Sequence, residues 1–133
     1  MKDIMLLDVV PLSLGVEVTG GLMSVLIPKN TNIPIRKTKT YRTAEDDQTN
    51  VRINIYEGER PQVKDCNLLG KFTVYNLPKA PAGVVQIEET FEIDENGILK
   101  VSAIETASGS SGQITIKNEK GRLSEQQIKT MIK

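Results

Sequence analysis

The sequence predicts a mainly β domain, a sandwich of two antiparallel sheets. Three observations predict it: apolar and polar residues alternate at a period of two in several separate runs, glycine and proline punctuate those runs, and the 133 residues accommodate about eight strand candidates at irregular spacing. An alternating strand offers one face to a core and one to water, and two such sheets bury their apolar faces against each other. The length suits one domain with one core.

The elements follow in order. Gly20-Gly21 separates a strand at Leu14–Val18 from one at Leu22–Ile27, as a hairpin turn requires. A very polar strand then places Lys37, Lys39, Tyr41 and Thr43 on one side. In the next, Val51, Ile53 and Ile55 oppose Arg52, Asn54 and Tyr56. Further on, Ile87, Phe91 and Ile93 alternate with Glu88, Thr90 and Glu92. Asn96-Gly97 turns the chain into a strand in which Leu99, Val101 and Ala103 alternate with Lys100, Ser102 and Ile104. Residues 109–112, two glycines and two serines, read as a flexible hairpin tip before Ile114 and Ile116. Pro28, Pro34, Pro61, Pro78 and Pro81 fall in connections, where a missing amide costs no ladder bond. The character then changes: Ser124 with Gln127 forms a capping box, Leu123 and Ile128 take the staple positions, and Ile128, Met131 and Ile132 share one helical face. An apolar helical stripe followed by nothing implies a chain cut from a longer protein.

Composition narrows the chemistry. Lys plus Arg and Asp plus Glu each total 17, a balance unlike a nucleic-acid-binding surface. Without histidine the commonest general base and metal ligand are missing, and the single Cys66 neither closes a disulfide nor builds a zinc site alone; it reads as an incidental loop residue. The longest apolar run near the start, Ile4-Met5-Leu6-Leu7, is far too short to span a bilayer. Glu45-Asp46-Asp47, Glu57, Glu59, Glu88-Glu89 and Asp94-Glu95 sit in turn-like or solvent-facing positions and read as solvated surface rather than acid–base pairs. Ser13, Ser24 and Ser102 have no histidine partner, and no helix follows Gly20-Gly21 to hold a phosphate. The expectation is a binding module and not an enzyme.

The polar strand, the apolar face of Val51, Ile53 and Ile55, and the connection over residues 43–48 admit two readings. They could cradle an extended peptide, with backbone hydrogen bonds for affinity and a pocket for side-chain choice, or be ordinary core and loops.

A family resemblance bears on that choice. The segment Leu6-Leu7-Asp8-Val9-Val10-Pro11-Leu12-Ser13-Leu14-Gly15 resembles the interdomain linker and first strand of the 70-kilodalton heat-shock chaperones. Blocks similar to that family follow in the same order: Lys29-Asn30-Thr31-Asn32-Ile33-Pro34, Tyr56-Glu57-Gly58-Glu59-Arg60, Leu68-Leu69-Gly70-Lys71-Phe72, Ala80-Pro81-Ala82-Gly83, Gln86-Ile87-Glu88, the stretch from Phe91 to Leu99, and Gly121-Arg122-Leu123-Ser124. The match runs from about Asp3 to the last residue, and its specificity lies in that continuity rather than in one motif.

The resemblance implies the substrate-binding β-domain of such a chaperone: residues 1–8 an interdomain linker, 9–122 a sandwich of two four-stranded sheets, and 123–133 the start of a helical lid. It implies a channel around an extended, unfolded polypeptide, with Val16, Glu17, Val18 and Thr19 in one loop, Tyr41, Arg42, Thr43 and Ala44 in a second, and Gln48, Val51, Ile53 and Ile87 around a central pocket for leucine-like side chains. Asp3, Ile4, Met5, Leu6, Leu7 and Asp8 would couple this domain to an ATPase domain, whose ATP and Mg belong to the parent protein along with J-domain co-chaperones and nucleotide-exchange factors. An exposed linker or cut helix would also invite self-association. The alternative is a structural or assembly β-sandwich without a peptide channel. No nucleic acid or membrane partner is implied, and the location implied is cytoplasmic, with the endoplasmic-reticulum lumen as the alternative.

Four positions bear on how far the chain follows the family pattern. Tyr41 replaces a phenylalanine, a small change if its hydroxyl reaches water. Thr19 and Ala44 are a small pair at the arch over the peptide, and Ala82 stands where an arginine is common, which implies a weaker lid latch and faster peptide exchange.

Overall fold

The computed structural model describes residues 9–117. The linker and the capped helix expected at either end lie outside the described residues. Eight strands form two four-stranded antiparallel sheets, as expected. They are β1 (Leu14–Val18), β2 (Leu22–Ile27), β3 (Ile35–Arg42), β4 (Val51–Glu57), β5 (Asn67–Val74), β6 (Gln86–Ile93), β7 (Leu99–Glu105) and β8 (Ser111–Ile116). The first sheet has the order β2-β1-β4-β5 and the second β3-β6-β7-β8. The connection after β3 therefore crosses from one sheet to the other.

The period-2 pattern sets which face is inside. Along β6, Ile87, Glu89, Phe91 and Ile93 are buried, whereas Glu88 and Glu92 are exposed; along β7, Leu99, Val101, Ala103 and Glu105 are buried. Together with Ile27, Ile55 and Val74 from the first sheet, the apolar residues among these make one continuous core. Phe91 is its largest fully buried side chain.

Each side of the sandwich closes differently. On one side β5 lies over β8, and two glycines permit the approach: a Cβ on Gly70 would come within 3.0 Å of Ile114 Cδ1, and one on Gly112 within 3.0 Å of Phe72 Cδ2. Gly112 is thus part of β8 and packs against the other sheet, correcting its expected place in the hairpin tip. The tip itself is ordered by Glu105, whose carboxylate accepts hydrogen bonds from the Ala107 and Ser108 amides and the Ser108 hydroxyl. Those bonds, the Ser108 hydroxyl first, hold the Glu105 carboxyl below its ordinary value. On the other side β2 faces β3, where the hydroxyls of Ser24 and Tyr41 share a hydrogen bond of 2.8 Å. The Lys39 ammonium also donates to Ser24 Oγ and to the Val25 carbonyl, at 3.4 and 3.3 Å.

Of the carboxylates expected on the surface, Glu57 is buried while Glu59 is exposed, and both accept structural hydrogen bonds. Glu57 is buried and accepts a 2.9 Å hydrogen bond from Asn67 Nδ2. Glu59 accepts from both the backbone amide and the hydroxyl of the buried Ser13. Cys66 ends a short 3-10 turn, its thiol toward the Arg60 and Gln62 carbonyls.

Gly15 packs directly against the backbone of β2. The β1–β2 register shifts between Leu14 and Gly15, and a Cβ there would stand 2.1 Å from the Ser24 carbonyl oxygen. A backbone atom cannot swing aside as a side-chain tip can. Gly15→Ala is expected to destabilise the domain by roughly 2–3 kcal/mol, in the range of overpacked cores, measured by urea unfolding; a loss under about 0.5 kcal/mol, typical of surface changes, would contradict the packing described.

Candidate peptide-binding cleft

The first sheet is incomplete in its middle. β1 and β4 pair at only three positions, Leu14↔Glu57, Gly15↔Tyr56 and Val16↔Ile55. Beyond them β1 stays bound to β2 through Val18, and β4 stays bound to β5 back to Val51. The edges of Glu17–Val18 and of residues 51–54 that face each other carry no ladder pairing. The two strands diverge there, and a cleft of about 420 Å³ opens between them, reaching down to the second sheet.

Separate ties hold the walls apart. β1 follows its hairpin partner β2, which is braced against β3 through Ser24 and Tyr41. The start of β4 follows the connection from β3, which is stitched to the segment before β6. Thr43 donates its amide to the Val85 carbonyl and accepts the Gly83 amide, Asp47 donates to the Ala80 carbonyl, and the Ala82 amide donates to Asp46 Oδ1 at 2.8 Å. Gln48 braces the connection from within: its Oε1 accepts the Ala44 and Glu45 amides, and its Nε2 donates to the Asn50 carbonyl. Where the β1–β4 ladder ends, Asn54 Nδ2 donates to Glu17 Oε1 at 3.1 Å.

Of the residues named from sequence, Val16, Glu17, Val18, Thr19, Tyr41, Arg42, Ala44, Gln48, Val51 and Ile53 line this one cleft. Two do not. Thr43 is buried beneath the loop contacts just described, and Ile87 lies in the core opposite Tyr41 in the β3–β6 ladder, 1% exposed. The β6 side chain that does line the cleft is Glu89, two residues on, placed by the sequence reading on the solvated surface. Parity could have found it: Glu89 shares the face of Ile87, Phe91 and Ile93. The Tyr41 hydroxyl shares a hydrogen bond with Ser24, and burial pushes the phenol up to about 12, the Ser24 hydrogen bond opposing the effect and Glu89 adding to it.

Glu89 is the electrostatic feature of the site. It is 4% exposed, and among the described residues Glu89 Oε1 and Asn54 Oδ1 are the buried side-chain oxygens without a hydrogen-bond partner. Burial pushes its carboxyl up to about 8, so it is mostly neutral at pH 7. The apolar share of the lining comes from Val16, Val18, Val51 and Ile53, with Arg42, Arg52 and Glu17 supplying charge. Arg42 is tethered through its guanidinium to the Gly83 carbonyl at 3.2 Å.

The fold and cleft define a two-sheet β-sandwich that leaves one pair of neighbouring strands partly unzipped over a cleft of mixed apolar and charged lining. A family model described as Hsp70 protein matches residues 1–133. The chain is 55% identical over 131 residues to a heat shock 70 kDa protein of Neurospora crassa and 54% identical to one of Penicillium citrinum, in each case over 98% of this chain. A heat shock 70 kDa protein of Emericella nidulans is 52% identical over the same span. The chain covers 20%, 26% and 20% of these relatives, respectively. It belongs to the Hsp70 family.

The Glu89 shift has a sign that can be checked. A carboxyl whose value rises from 4.5 in the unfolded chain to about 8 in the folded one favours folding at low pH, and that advantage is lost as pH rises through this interval. Relative to Glu89→Gln, whose side chain does not titrate, the parent's melting temperature should therefore fall steadily between about pH 5 and pH 8 and level off above. A difference that is flat across this range would show that Glu89 is solvated.

Proposed function

We propose that this chain is a polypeptide-holding module of an Hsp70 chaperone, and that extended apolar segments of unfolded proteins lie in the cleft between β1 and β4. The observation that carries the proposal is the unpaired stretch of both strands beside an apolar wall. An extended peptide can use free backbone edges whatever its sequence, while Val16, Val18, Val51 and Ile53 take an apolar side chain. Burying one leucine side chain contributes roughly 1.5–3 kcal/mol, which gives modest affinity and broad choice. Thr19 and Ala44, small side chains on opposite walls, leave the mouth open for exchange.

In this proposal the module does not itself catalyse a reaction. Among the described residues no group of three or more His, Cys, Asp or Glu side chains could hold a metal ion, and Gly20-Gly21 joins two strands instead of leading into a helix. ATP and magnesium chemistry is assigned in this proposal to another part of the parent protein. Residues 3–8 would couple the two, and J-domain co-chaperones and nucleotide-exchange factors would act on the whole.

The proposal is tested with a fluorescent, leucine-centred extended peptide followed by anisotropy, using the parent and Val18→Asp. Val18 is only half-buried, so the variant should stay folded, yet it sets a carboxylate on the apolar wall. Saturable binding by the parent and a Kd at least about tenfold higher in the folded variant are expected, the loss of roughly one apolar contact. Binding of equal strength in both, or none by the parent, would overturn the assignment.

A further inference from the structure

Glu89 stands apart from the other side chains that line the cleft. Its carboxyl lies on the cleft floor, 4% exposed, with Oε1 unpartnered, beneath walls that include Val16, Val18 and Ile53. A buried carboxyl without a partner destabilises the domain unless something completes it. The neighbouring side chains do not. From β3, Lys39 stands opposite Glu89 in the ladder, but its ammonium is directed to Ser24 and the Val25 carbonyl of β2; Lys37, opposite Phe91, is exposed. Tyr41 bonds Ser24, and Arg42 bonds the Gly83 carbonyl. From β4, Arg52 is exposed. From β1, Glu17 accepts from Asn54. From β7, the residue opposite is Ala103, and Glu105 is engaged by its own turn.

We infer that Glu89 makes the central position of this cleft selective for a lysine or arginine side chain carried within an otherwise apolar extended segment. The inference rests on the peptide-holding reading and deepens it. A lysine or arginine stem is apolar and can cover the valine and isoleucine walls, while its head reaches the floor. There it donates to the carboxylate, forming a charge-assisted pair sheltered from water. A leucine of similar reach buries the same walls but leaves the carboxyl without a partner.

The proton balance gives each occupant an opposite pH dependence. Because burial holds the empty cleft's carboxyl protonated up to about pH 8, a cationic side chain binds with release of that proton to solvent. Its affinity should rise with pH, approaching about tenfold per unit below pH 8 and levelling above. A leucine side chain favours the neutral carboxyl, so its affinity should be flat below pH 8 and fall above it.

The test compares two extended peptides that differ only at the central residue, lysine or norleucine, titrated into the parent and Glu89→Gln between pH 6 and 9. Glutamine keeps the shape and removes the charge. The expected result is a lysine-peptide affinity that rises with pH in the parent, is flat in Glu89→Gln, and at pH 8.5 is at least about tenfold weaker in the variant, with norleucine-peptide binding retained by the variant. Norleucine binding accompanied by a lysine-peptide affinity that is pH-independent, or unchanged by Glu89→Gln, would overturn the inference and leave the cleft reading standing. Failure of both peptides to bind the parent would overturn both.

Discussion

The structure turns on a ladder that stops early. β1 and β4 are neighbours in the first sheet, yet their pairing ends at Val16 and Ile55, after three positions. In a closed sheet every interior edge finds a partner, because a buried backbone amide or carbonyl without one is costly. Here two strands keep their outer partners and give up the inner ones, and the space between them reaches the second sheet. Everything proposed for this chain, from backbone-led binding to side-chain choice, depends on that gap staying open.

What keeps it open is distributed over the loops. The Ser24–Tyr41 bond and the Lys39 contacts tie the β1–β2 hairpin to the edge of the second sheet. The opposite wall is held by the mutual hydrogen bonding of residues 43–47 with residues 80–85, and by the Gln48 side chain. At the far side, the close approach at Gly70 and Gly112 clamps β5 over β8. The sandwich is therefore tight along one side and under its core, and open at the top of its middle strands. The Ala82 amide, bonded to Asp46, belongs to the stitching of the wall, so a substitution at Ala82 acts on a loop that already positions the cleft.

Much of this was legible in the sequence, for reasons that differ by element. The strands read clearly because parity is a local signal: Gly20-Gly21 and Asn96-Gly97 mark their turns, and alternation marks their faces. Of the twelve residues that the family resemblance implies for a channel, ten line one cleft, and Thr43 and Ile87 do not. Glu89 looks like surface by residue type, yet its parity with Ile87, Phe91 and Ile93 puts it on the buried face of β6. Gly112 is the opposite case: a glycine beside serines reads as a loop, whereas its use, admitting Phe72 from the other sheet, is a long-range contact that no local pattern contains. The roles of the buried Glu57 and the exposed Glu59 as acceptors are non-local in the same sense: Glu59 and its partner Ser13 lie 46 residues apart.

The most direct test of the open ladder is residue-resolved amide hydrogen exchange of the chain, free and saturated with a leucine-centred extended peptide. If the gap between β1 and β4 is where the peptide lies, protection should increase at Glu17–Val18 and along residues 51–54, with little change along β2, β5 and the second sheet. Protection that appears instead at an outer strand, β2 or β3, with the inner edges of β1 and β4 unaffected, would contradict the account.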